Sequence, residues 1–380
     1  MDVIEPISVT DSVLFASNVF ENDYPAWANN VAYALGDRRI LTSTHKIYES
    51  VKATSSLAVT ISIASPGVVT WAAHGLSSGT PVSFATSGAL PTGLAAATTY
   101  YVVNPTTDTF QVAATAGGAA INTSGSQSGT HTATAQSNYN RSPDTNTTFW
   151  TEVSATNKWK MFDAQNNTQT TNTDSIEVDL VPASIATGVF LGGLDGDSVT
   201  VTVTDPTDGI VYSETKSLLI SNSGSSFWGW GFNRILKRTA LAFTNLPPYV
   251  AATVSISIDK PGGTAKCGMC CLGPVVNVGI TERNVSTDIK DYSSTTFNAD
   301  GTSTTVVRDY AKRMTVDCIV DNDIKDAIEN QLASYRQTPV VWIGSTKFET
   351  TMIYGTFSSF KVVIESFPRS RASLQIEGRV

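Results

Sequence analysis

Charge is what this sequence has least of. Only 15% of its residues are Asp, Glu, Lys or Arg, against about 25% in ordinary globular chains. The 25 Lys and Arg are outnumbered by 33 Asp and Glu, for a net charge of −8, and no basic cluster stands out. Phosphate neutralisation is therefore a poor basis for binding, and nucleic acid is excluded as a partner. No run approaches the roughly 20 apolar residues of a membrane-spanning helix, so membrane insertion is not expected. The N-terminus, MDVIEPISVTDSVLFASNVF, lacks a basic start and an unbroken apolar stretch, so no signal peptide is read there. The expected product is soluble and made in a cytoplasm.

Cysteine and histidine are scarce too. Cys267, Cys270, Cys271 and Cys318 are too few and too clustered for a disulfide scaffold in a chain of 380 residues. A structural zinc site wants four ligands, usually as two spaced pairs. The three histidines, His45, His74 and His131, all lie in the N-terminal half. On a strand, Cys270 and Cys271 would point to opposite faces. The cysteines are read as small buried hydrophobes, with no metal and no cofactor expected. No nucleophile elbow, metalloprotease helix or Gly-rich phosphate loop occurs, and nothing marks a pair of carboxylates for glycoside hydrolysis. The chain is read as non-catalytic.

What fills the sequence is Thr, Ser, Ala, Gly and Val. Branched residues lose little freedom on a pleated surface, so the class is mainly β. The length fits two to four domains. The expected architecture is multidomain β-sandwiches with a C-terminal α+β barrel-like domain containing one helix. Residues 1–20 read as an N-terminal arm or first strand. Residues 21–52 and 137–165 share an aromatic and polar style, interrupted by the nearly uncharged stretch 53–136. This suggests a split small β module with a β-sandwich, or a small barrel, inserted in a surface loop, an event that costs little loop-closure entropy. Residues 166–279 alternate, most clearly in SVTVTVTD, and read as a jelly-roll-like sandwich with a turn at 205–209. Residues 280–380 hold strands around a helix expected over 322–336. Asp321 or Asn322 would cap it, Ile324, Ala327, Ile328, Leu332 and Tyr335 would form its apolar stripe, and Pro339 would stop it.

Several stretches carry a resemblance. Ala26, Trp27, Tyr33, Gly36, Asp37, Tyr48, Glu49 and Trp150 together resemble the small chitin-binding type of carbohydrate-binding module. Residues 74–121 look like an Ig-like domain that recurs in phage structural proteins. The order ENDYPAW, TNKWKMFD, LPPY, LQIEG is similar to a family of phage tail proteins. The C-terminal strand, helix and hairpin layout resembles the ring-forming domain of distal tail proteins. The resemblance implies a structural component of a bacteriophage tail, at the baseplate or tail tip. It would be located in the virion, form a symmetric homo-oligomer and contact other tail proteins. A host surface-glycan binding protein is the alternative, and a tail-associated polysaccharide depolymerase a third.

For glycan binding the resemblance points to Trp27, Tyr33, Tyr48 and Trp150, since a pyranose stacks on an exposed ring. The competing reading, favoured here, is a mini-core, because a module this small needs its aromatics inside. Phe227, Trp228, Trp230 and Phe232 form the densest aromatic run and are read as a subunit interface, where Trp is enriched. Asp195, Asp197, Asp205 and Asp208 could gather to hold calcium, but they also sit where Gly-Asp turns belong, which is the preferred reading.

Overall fold

A computed structural model describes residues 1–220, 236–364 and 368–379. The protein is mainly β, with 50% strand and 4% helix, and among the described residues it has several sheets and one α-helix. It forms two compact units, Asn22–Thr156 and Met1–Glu21 with Asn157–Val380. None of the described helices is long and apolar enough to cross a membrane.

Asn22–Thr156 holds a three-stranded antiparallel sheet and a closed barrel. In the sheet, Lys46–Ser50 lies between Arg38–Leu41 and Trp150–Ala155, so strands on either side of the insert pair as expected. Of the two forms expected for the insert, the structure has the barrel and not the sandwich. Thr54–Ile61 pairs with both His131–Gln136 and Val69–Thr70, which closes six strands into a barrel and leaves no edge. The alternation in HTATAQ shows how the sequence permits closure. His131, Ala133 and Ala135 face inward among Phe84, Phe110 and Val102, and the Thr residues between them face out.

Entry to and exit from the barrel are adjacent. Gln136 pairs with Thr54, and the Ser137 amide donates to the Ala53 carbonyl at 2.9 Å. Replacing residues 53–136 by a short Gly/Ser linker is therefore expected to leave a soluble, folded remainder. Circular dichroism checks this; aggregation with loss of the β signal would show that the module depends on its insert.

The larger unit begins with a correction. Residues 1–20 are not a separate arm. Asp2–Ile4 is an interior strand of an eight-stranded antiparallel sheet, between Val275–Asn277 and Val340–Ile343, and Val3 and Ile4 are fully buried. Leu14–Ser17 edges a different, five-stranded sheet. The boundary at 165 also moves. Trp159 and Met161 flank and occupy the short turn Lys160–Phe162, and both are buried in this unit rather than in the split module.

The sandwich expected over 166–279 is built from that five-stranded sheet and a three-stranded one. The first runs Gly209–Ser217, Ser198–Asp205, Thr253–Cys267, Thr170–Leu180, Leu14–Ser17. The second runs Ala240–Phe243, Gly188–Gly192, Met269–Gly273. Val199, Val201 and Val203 are buried while Thr200, Thr202 and Thr204 stay partly exposed, as period-two alternation requires. At the expected turn, the Asp205 carboxylate accepts the Thr207 and Asp208 amides at 2.8 and 3.1 Å, and Gly209 takes φ +74°.

The eight-stranded sheet continues from Val340–Ile343 through Met352–Ile364 and Arg369–Gly378 to Tyr310–Asp321, which also pairs with Ile280–Thr281 and Ser286–Asp291. Both faces are covered. Val3, Val340, Trp342, Leu374 and Ile376 share a core with the helix Lys325–Ser334. Ile4, Val341, Ile343 and Tyr354 pack against Phe190, Ala242 and Cys271 of the three-stranded sheet. This two-sided burial explains why VVWI is continuously apolar.

The helix is shorter than expected and buries a narrower stripe, Ile328 and Leu332 with Tyr335 just beyond it; Ile324 and Ala327 are exposed. It has no side-chain cap. Asn322 instead accepts a hydrogen bond from the Ser370 hydroxyl, tying the helix approach to the last strand. That strand starts at Arg369. Consequently Val363 pairs with Arg371 and is exposed, while Leu374 and Ile376 lie opposite Phe360 and Phe357.

Candidate functional site

The split module gathers the four aromatics, but as a core. Tyr33, Tyr48 and Trp150 are 2%, 6% and 1% exposed, and half-buried Trp27 packs against them. The Trp150 ring meets Tyr33 edge-on, with centroids 5.2 Å apart. Its Nε1 donates to the Arg141 carbonyl at 3.0 Å. The Tyr33 hydroxyl donates to the Ala28 carbonyl at 2.9 Å and accepts the Ala28 amide at 2.7 Å. Arg39 lies 5.0 Å over the Tyr33 ring. This corrects the sugar-stacking assignment for Tyr33, Tyr48 and Trp150. Their faces are covered because these rings are the apolar volume the small sheet has to bury. Phe227, Trp228, Trp230 and Phe232 lie outside the described residues.

The cysteines are buried free thiols. Burial pushes the Cys267 thiol up to about 12 and the Cys318 thiol up to about 11, so both stay protonated at neutral pH. Cys271 packs in the core against the eight-stranded sheet, and Cys270 pairs with Leu191. Among the described residues, no three His, Cys, Asp or Glu side chains group as a metal site requires. The four aspartates of the calcium reading separate. Asp195 pairs with Lys260 and Asp197 with Lys237, both at 2.7 Å. Asp205 and Asp208 sit at the far end of Ser198–Asp205, roughly 20 Å away at strand rise.

The feature that sequence reading missed is a β-hairpin arm. Ser286–Asp291 pairs with the start of Tyr310–Asp321, and beyond it Ser294–Phe297 and Ser303–Val306 form their own two-stranded ladder. Every residue of that ladder is exposed. The tip is ordered by its turn, where Asn298 and Thr302 pair through the backbone at 2.8 Å and the Asp300 carboxylate accepts the Thr302 amide at 3.0 Å. The base is clamped to the closing strand. Lys290 reaches Glu377 at 2.8 Å and Arg313 reaches it at 3.4 Å, and the Lys290 hydrogen bond holds the Glu377 carboxyl below its usual range.

Along this anchored arm Ile289, Phe297, Val306, Val307 and Tyr310 are more than half exposed, Phe297 and Val307 by 77% and 82%. A two-stranded hairpin is marginal alone in water. The apolar side chains displayed on it are therefore not buried by the hairpin itself. The sequence signal was NADG between two Thr-rich runs, a turn flanked by strand formers. A search of protein-family models and of curated proteins finds no match to this chain.

Proposed function

We propose that this chain is a structural component of a bacteriophage tail, a baseplate or tail-tip subunit that assembles as a symmetric ring through its C-terminal domain. The resemblance of its segment order to tail proteins supports the reading, and the observation that carries it is the hairpin arm. The arm has an ion-paired base, an ordered tip and bare apolar side chains, which fits a lever that inserts into a neighbouring subunit. Closed symmetry is the default for such homo-oligomers. The glycan-binding alternative has lost three of its four stacking rings to the module core.

The test removes the arm alone. Residues 294–307 are replaced by Gly-Gly between Ser293 and Arg308, which already hydrogen bond to each other. The parent is expected to form rings at high concentration, as seen by electron microscopy, and the shortened chain to keep the parent's thermal midpoint and form none. Rings without the arm, or isolated copies of the parent in labelled particles, would overturn the proposal.

A further inference from the structure

The hairpin arm differs from the other edge strands in how it is protected. Folded proteins shield sheet edges with charged residues, bulges or burial, because an open row of amides and carbonyls recruits other strands. Gly209–Ser217 carries Glu214 and Lys216, Arg38–Leu41 carries Arg38 and Arg39, and Trp150–Ala155 has a bulge beside Glu152. Ala240–Phe243 is buried along its length. Ser294–Phe297 and Ser303–Val306 have none of these devices. Neither strand holds a charge or a proline, their register is unbroken and every residue is exposed. They pair with no third strand among the described residues.

What the ladder offers is its edges rather than a face. Alternation puts Phe297 on one face with Thr295, Ser303 and Thr305, and Val306 on the other, so neither face is an apolar patch. The turn fixes which backbone groups point outward. The Asn298 amide donates to the Thr302 carbonyl at 2.8 Å, which makes Phe297 and Ser303 a pair without mutual hydrogen bonds. Pairs alternate along an antiparallel ladder, so Thr295 and Thr305 are of the same kind. Their hydroxyls lie 3.0 Å apart, in keeping with the closer approach of such pairs. The amides and carbonyls of Thr295 and Phe297 therefore point out of one edge, and those of Ser303 and Thr305 out of the other.

We infer that the arms of adjacent copies pair edge to edge and antiparallel, Ser303–Val306 of one copy against the Ser294–Phe297 edge of the next. The inference rests on the reading of the arm as an assembly element. Ser303 then meets Phe297 of the partner subunit and Thr305 meets Thr295 of the partner subunit, each pair exchanging two backbone hydrogen bonds. A second copy is the occupant because the two edges of one arm match each other in length, lack of charge and outward groups. Pairing like edges about a two-fold axis would cover one edge and leave the other bare. Head-to-tail pairing uses both, and it is the contact type from which rings close.

The test uses two full-length variants, Thr305→Cys and Thr295→Cys, carrying different tags. All four native cysteines are buried, so the introduced thiols report on the arm. Oxidation at high concentration is expected to give a disulfide between the variants when they are mixed and none with either alone, since only unlike positions come within disulfide reach. Thr305→Pro removes an amide that the hairpin itself does not use. It should keep the thermal midpoint and abolish self-association in sedimentation. No mixed disulfide, equal disulfide formation by either variant alone, or unchanged self-association of Thr305→Pro would overturn the pairing. Rings of the parent without the mixed disulfide would overturn this pairing alone. The mixed disulfide without rings would uphold the pairing and count against the ring.

Discussion

A chain ending at Arg371 is expected to accumulate as insoluble protein. The lost residues form most of Arg369–Gly378, an interior strand paired along its length with Met352–Ile364 on one side and Tyr310–Asp321 on the other. Leu374 and Ile376 are 0% and 1% exposed in the core shared with Trp342, Met314 and the helix. Burying each contributes about 1.5–3 kcal/mol, so two side chains alone amount to a large part of a typical domain stability of about 5–15 kcal/mol. The truncation also removes Glu377, which ion-pairs the base of the hairpin arm. It leaves two long strands with unpaired inner edges, which invite pairing with other chains. The soluble fraction after expression and the thermal transition measure the effect. A soluble truncated chain with the parent's transition would show that this strand does not close the sheet.

How legible these features were in the sequence depended on the range of the pairing that creates them. Local alternation revealed SVTVTVTD and the 205–209 turn, because a strand's facing and an Asx turn are fixed within a few residues. The three-aromatic core of the split module was legible in residue type, and the need of a small sheet for apolar volume correctly favoured burial. The choice between barrel and sandwich was not legible, since closure rests on Thr54–Ile61 finding both a near and a far partner, and alternation reads the same in a sandwich. A first strand was one of the two readings of residues 1–20, but its place inside the large sheet was not legible, for the same reason. Val3 aligns with Val276 and Trp342, separations at which no sequence period survives. The hairpin arm escaped notice because its Thr and Ser runs look like ordinary surface strand.

Trp150→Ala is expected to unfold the small sheet of the split module while leaving the barrel intact. Trp150 is among the largest fully buried side chains, and the core it belongs to contains only Tyr33 and Tyr48 as other buried members. Truncating a buried Trp costs about 3–5 kcal/mol, and a core of three rings has few neighbours able to collapse into the space. The change also strands the Arg141 carbonyl, which accepts the Trp150 Nε1 hydrogen bond. The barrel has its own core around Phe84, Phe110 and Val102, so its amides should stay protected. Hydrogen exchange separates the two regions, with protection lost in Arg38–Leu41 and Lys46–Ser50 and kept in His131–Gln136. Trp150→Phe retains a ring against Tyr33 and loses mainly the Nε1 bond, about 1 kcal/mol, so protection should persist there. If Trp150 were instead a sugar platform, Trp150→Ala would leave every amide protected and remove only glycan binding. That result would reverse the assignment of these aromatics to the core.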